Sequence, residues 1–129
     1  VTVRRPDIAR TVLIVEPDAD VRRTLAACCT REGFDVVAVA DGRAATSIVE
    51  AQPVAAVLTH CFMPEPDGFD LVLTLLRATP RPRLIALTEG DRFVAADALA
   101  MADRLGVDRV LAKPYTHEAV LGALEAVLR

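Results

Sequence analysis

Val57-Leu58-Thr59-His60-Cys61-Phe62-Met63-Pro64 is the stretch on which the fold turns. The apolar run from Val54 to Leu58 ends there in polar and chain-breaking residues, and a second turn signal follows at Pro66-Asp67-Gly68. A short apolar run bounded by turn signals is the pattern of a strand covered on both faces. In a wound α/β domain, ligands gather at the carboxyl end of such a strand. The residue standing at that end is a histidine, His60.

Comparable runs lie on either side. Thr11-Val12-Leu13-Ile14-Val15 is a first strand that stops at Glu16-Pro17-Asp18. Pro17 suits a turn or first helical position, and Asp18 or Asp20 can cap the helix that follows to about Glu32. Val21, Leu25, Cys28 and Cys29 form its apolar face, and Gly33 is the expected left-handed stop. Asp35 to Ala40 predicts a second strand, and Asp41-Gly42 turns it into a helix from Arg43 to Ala51 that Pro53 ends. The third strand spans Val54 to Thr59 and closes at His60. Asp67 then caps a helix through Ala78, which Pro80 and Pro82 break.

Leu84 to Leu87 is a fourth strand ending at Thr88, and a helix from Asp91 to Leu105 stops at Gly106. Asp108 to Ala112, the weakest strand by composition, ends at Lys113-Pro114. Thr116 caps the last helix, with Val120, Leu124, Val127 and Leu128 as its buried stripe. Five strands alternating with five helices imply a parallel sheet wound right-handed and covered on both faces. The length suits one domain with its own core. Residues 1–10 read as a flexible leader and 11–129 as the domain. Glu16, His60, Thr88 and Lys113 then fall along one edge of the sheet, where a crevice should form.

Composition narrows the function. The net charge is −3 and the basic residues are scattered, so no nucleic-acid footprint is visible. No uninterrupted apolar run approaches the ~20 residues that cross a bilayer. The opening arginines lack the apolar stretch of a secretory signal. Cys28, Cys29 and Cys61 have no framework spacing and read as reduced thiols of a cytoplasmic protein. Lys113 is the only lysine.

Taken together, the order of these features resembles the response-regulator receiver domains of bacterial two-component phosphorelay signalling. The resemblance is carried by Leu13-Ile14-Val15-Glu16, by Met63-Pro64 and Asp67-Gly68, by Leu87-Thr88, by Gly106, and by Ala112-Lys113-Pro114. It spans essentially the whole chain. It implies a flavodoxin-like (βα)5 fold, a doubly wound five-stranded parallel sheet of order 2-1-3-4-5 with helices on both faces. It also implies structural turns at Pro64, Gly68 and Pro114, the last after a cis peptide bond.

Receivers accept a phosphoryl group on an aspartate at the end of the third strand. Mg²⁺ is held by that aspartate, by acids after the first strand, and by a backbone carbonyl two residues past the acceptor. A threonine or serine after the fourth strand and a lysine after the fifth contact the phosphoryl oxygens. Carried onto this chain, the resemblance places His60 at the acceptor position and Glu16-Pro17 where paired acids belong. Val110 stands at the aromatic switch position. Thr88 and Lys113 are retained for phosphate contact, and Phe62 can offer its carbonyl.

Imidazole cannot form the acyl phosphate that a carboxylate forms. A receiver crevice of about three carboxylates and one lysine carries roughly −2, whereas Glu16 and Lys113 leave this one near zero. A unit charge at ~4 Å is worth about 4 kcal/mol at an effective dielectric of ~20. Each ~1.4 kcal/mol of that surviving hydration is about tenfold in affinity. Mg²⁺ needs oxygen ligands in near-octahedral array, so weak or absent binding is expected. Asp18 is the second candidate for the acidic pocket beside Glu16, and Asp18 or Asp20 could swing in as a ligand, although helix capping or a solvent-facing position is the stronger expectation for both. His60 is expected to fill the crevice as a neutral group bonded to Glu16, Thr88 or the backbone.

The expected function is therefore that of a degenerate, non-enzymatic receiver acting by phosphorylation-independent protein–protein contact. A histidine kinase or downstream protein would dock on the face of the fourth helix, fifth strand and fifth helix, or on the first helix. The same face could support a homodimer, and neither nucleic acid nor membrane is an expected partner. Two rival readings remain open. One is phosphotransfer through His60, which would lack the metal that screens an incoming phosphate. The other is a metal- or redox-responsive sensor using His60 and Cys61, whose donors lack ligand spacing.

Overall fold

The computed structural model describes residues 10–60, 71, 74–75, 77–78, 81–88, 106–112 and 114–128. The leader up to residue 9, the turn residues Cys61, Phe62, Met63, Pro64 and Gly68, the helix expected from 91 to 105, and Lys113 lie outside the described residues.

The described elements are β1 (Thr11–Val15), α1 (Ala19–Arg31), β2 (Asp35–Val39), α2 (Gly42–Ala51), β3 (Ala56–His60), β4 (Arg83–Thr88), β5 (Arg109–Ala112) and α3 (His117–Leu128). Between β3 and β4, Leu71, Thr74, Leu75 and Arg77 are helical. The five strands form one sheet of order β2-β1-β3-β4-β5, and every pairing is parallel.

Strand alternation sorts the apolar residues into two layers. Val12, Ile14, Leu58 and Leu87 face Leu25 and Cys29 of α1 and Val120 and Leu124 of α3. Leu13, Val15, Val57 and Ala86 face Ala45 of α2 together with Leu71 and Leu75. Val12 to Val15 are wholly buried, as a central strand covered on both sides requires. Each fully buried Val, Leu or Ile contributes roughly 1.5–3 kcal/mol. The two layers hold the central strands rigid and leave their carboxyl ends to carry polar groups.

The local signals act as their chemistry dictates. Asp18 caps α1, its Oδ1 accepting from the amides of Asp20 at 2.9 Å and Val21 at 3.1 Å. Gly33 follows that helix at a φ of 94°, which a Cβ would disfavour. Asp41 caps α2 through the amide of Ala44 at 2.8 Å, so the helix begins at Gly42, one residue earlier than expected. Thr116 caps α3 through the amide of Ala119 at 3.0 Å.

Several strand ends differ from the sequence expectation. β3 begins at Ala56 rather than Val54 and takes in His60, because His60 is the Cα partner of Leu87 on β4. β4 runs from Arg83 through Thr88. β2 ends at Val39, and β5 begins at Arg109. No described helix is long and apolar enough to cross a membrane.

Candidate functional site

Among the described residues four polar side chains are buried at the carboxyl ends of the central strands: Glu16 at 2 % exposure, Thr59 at 1 %, His60 at 8 % and Thr88 at 0 %. Backbone pairing puts them there. The amide of Glu16 donates to the Val39 carbonyl at 3.1 Å, which extends the β1–β2 ladder by one residue. On the other side of β1, Val15 is the Cα partner of Thr59. Glu16 and His60 are the next residues on these neighbouring strands, and alternation sends both toward the layer of Ile14 and Leu58. Thr88 follows Leu87, the partner of His60, so alternation turns it toward the opposite layer.

The carboxylate of Glu16 is half engaged. Its Oε1 accepts from the Asp18 amide at 3.1 Å, which fixes the turn into α1. Among the described residues its Oε2 has no hydrogen-bond partner, and neither has Thr88 Oγ1. A buried polar atom left in this way costs on the order of 1–3 kcal/mol. Both of these atoms lie at the carboxyl edge of the sheet.

Asp18 stands two residues from Glu16 with its Oδ1 committed to the helix cap. Asp20 is exposed and paired with Arg23. Val110 is half-buried and packs against the layer of Val15 and Ala86. Pro114 is exposed. The structure thus brings Glu16 and His60 onto neighbouring strands, places Thr88 one strand beyond, and leaves Asp18 to the backbone.

The sequence reading gives no role to Arg22. Its Nη1 donates to the Glu16 carbonyl at 2.8 Å and ties α1 back to the end of β1. The signal was available in the spacing: six residues, one helical turn past the cap, let a long side chain fold back over the helix start.

Among the described residues no group of three or more His, Cys, Asp or Glu is placed to hold a metal ion. Glu16 is the one buried carboxylate among the described residues, and Mg²⁺ demands an oxygen shell. Among the described residues the free thiols, Cys28 and Cys29, lie elsewhere, in α1. Burial raises the Cys28 thiol, with Glu32 and Glu118 adding to that and Arg31 opposing it. Burial pushes Cys29 up to about 12, with Cys28 contributing. Neither is a ready thiolate.

Comparison with known proteins agrees with this architecture. The family model described as "Response regulator receiver domain" matches residues 12–125. A probable chemotaxis protein CheY of Rhizobium etli is 33 % identical over 121 residues, covering 90 % of each chain. The transcriptional regulatory protein TcrA of Mycobacterium tuberculosis is 32 % identical over 118 residues, covering 92 % of this chain and 46 % of TcrA. The chain thus spans about half the length of the longer regulator. In fold it superimposes on the receiver domain of the Francisella response regulator 1452, with a TM-score of 0.81 at 18 % identity over 92 % of this chain and 96 % of that one.

Proposed function

Because the chain belongs to the response regulator receiver family, we propose that it is a degenerate receiver, one that signals through protein contact without phosphorylation of an aspartate. Receiver domains are signalling modules that interact with histidine kinases and downstream proteins. The observation that carries the proposal is His60 at the last position of β3, where the family places its acceptor.

Two physical arguments support it. Imidazole offers no carboxylate from which to build an acyl phosphate. The neighbouring acid position is Pro17, so Glu16 is the one acid at the end of β1 that faces inward, and Mg²⁺ binds weakly or not at all. Thr88 and Lys113 keep the phosphate-contact positions without an acceptor to serve. Output then passes through surface contact with a signalling protein, on the face expected of β5, α3 and the chain before β5, or on α1. A second copy of the chain is an alternative occupant of the former face.

The test is a phosphodonor assay. The protein incubated with acetyl phosphate and Mg²⁺ should retain no label, and beryllofluoride with Mg²⁺ should not bind stoichiometrically. Retained label, or one beryllofluoride per chain, would end the proposal. Label that is stable to base, labile to acid and lost in His60→Ala would favour phosphotransfer through the imidazole instead.

A further inference from the structure

A cavity of about 600 Å³ opens beside the amino ends of β3 and β4, at the edge of the sheet opposite Glu16 and His60. This is the size of a formed binding pocket. Val54 and Pro82, which lead into those strands, are buried. With the half-buried Val49 and Ala78 they give the cavity an apolar floor.

The rim carries one charge of each sign. Glu50 comes from the last turn of α2, and Arg77 from the helical residues between β3 and β4. Both are exposed, and among the described residues neither has an ion pair or a side-chain hydrogen bond. The two charges therefore line one hollow without closing on each other. The side of Glu50 is made more negative by the backbone. Val49, in the same turn, has Pro53 four residues on, and proline has no N–H to offer its carbonyl. The last carbonyls of a helix are left open in this way and favour a cation, yet α2 has no basic residue in its last turn.

We infer that this cavity is a site for a small zwitterion, a free α-amino acid with an apolar side chain. Its ammonium group meets Glu50 and the end of α2, its carboxylate meets Arg77, and its side chain lies on Val54 and Pro82. A guanidinium suits the second task because its planar fork holds a carboxylate with two hydrogen bonds. One charge of each sign selects a ligand that carries both, since an acid or an amine alone leaves one rim group unanswered. The floor selects for an apolar side chain, because its own side chains carry no polar group. The inference uses nothing from the acceptor position and stands or falls apart from it.

Amide NMR titration of the full chain tests it with four probes. These are leucine, N-acetylleucine without the ammonium, leucinamide without the carboxylate, and glycine without the side chain. Leucine should give saturable shifts at Val49, Val54 and Ala78, and the other three should bind more weakly, by about fivefold for either lost charge. Glu50→Gln should weaken leucine by a similar factor and leave N-acetylleucine unchanged, whereas Arg77→Gln should weaken leucine and leave leucinamide unchanged. Both positions are exposed, so the variants are expected to fold, which their spectra would report directly. No saturable shift at those amides below about 10 mM leucine, equal binding of any truncated probe, or variants that do not discriminate among the probes in this way would each overturn the inference.

Discussion

The two ends of the sheet treat their polar groups in opposite ways. At the amino end, Asp108 accepts from the Leu84 amide at 2.8 Å, and its own amide donates to the Leu84 carbonyl at 2.9 Å. Arg83 and Arg81 stand around the same carboxylate, and Arg81 also donates to the Gly106 carbonyl. At the carboxyl end, Glu16 Oε2 and Thr88 Oγ1 are buried with no partner among the described residues. One end closes the fold with satisfied bonds. The other holds polar atoms at a cost that the rest of the sheet sustains, which is where a binding role is expected.

The sharpest way to break this comparison is Asp108→Ala. The substitution leaves the Leu84 amide without its acceptor and removes the countercharge of two arginines. The exposed ion pairs themselves are worth little, so the loss is mainly that of a charge-assisted hydrogen bond, about 2 kcal/mol. Urea unfolding should show a lower midpoint at unchanged slope. A loss under about 0.5 kcal/mol would mean that the amino end is not the clamp described here.

Between the two ends lies a buried group that is tolerated because it can stay neutral. The Cys29 thiol is fully buried, and its folded pKa is raised to about 12 from an ordinary 9.0. Below pH 9 both folded and unfolded states hold the proton, and stability is complete. Between about 9 and 12 the unfolded chain has released it while the folded chain has not, so stability falls as pH rises. The slope from this one thiol is at most about 1.4 kcal/mol per pH unit. Denaturant titrations at pH 8 and at pH 10 should show the fall, and Cys29→Ala should flatten it. An unchanged slope in that variant would assign the alkaline loss to other groups.

Thr88→Val tests the carboxyl end. Valine keeps the branched shape and removes a buried hydroxyl that no described group satisfies, so stability should rise by about 1 kcal/mol. The contrast with Asp108→Ala is one of sign. If Thr88→Val destabilises the chain instead, the hydroxyl has a structural partner and the two ends are more alike than they look.

Much of this contrast was legible in the sequence. The continuous run Thr11-Val12-Leu13-Ile14-Val15 reads as a doubly covered strand because burial on both faces demands apolar residues without alternation, and it forms β1 as expected. Asp18, Gly33 and Thr116 read as helix signals because each acts on amides and carbonyls close to it in the chain. The strand ends were harder. Whether His60 belongs to β3 depends on Leu87 across the sheet, more than 20 residues away, and no local pattern carries that. The same holds for the half-satisfied Glu16 and for Asp108 reaching Leu84. Hydrogen-bond satisfaction is a tertiary property, so the sequence marked where a crevice should lie but not which of its oxygens are left without a donor.

The smallest effect is expected at Arg10, a second clamp at the amino end. Its Nη2 donates to the Glu32 carbonyl at 3.1 Å and its Nε to the Gly33 carbonyl at 3.4 Å. The guanidinium also lies 4.3 Å from the centre of the Phe34 ring. These carbonyls end α1, where a cation is favoured by the helix dipole. Arg10→Lys keeps the charge but loses the planar fork and its stacking, so it isolates geometry from electrostatics. A loss of about 0.5 kcal/mol is expected, against about 1 kcal/mol for Arg10→Ala, which removes the charge as well. Equal losses in the two variants would show that planarity, not charge, holds the turn between α1 and β2, whereas no loss in either would show that the amino end is closed by Asp108 alone.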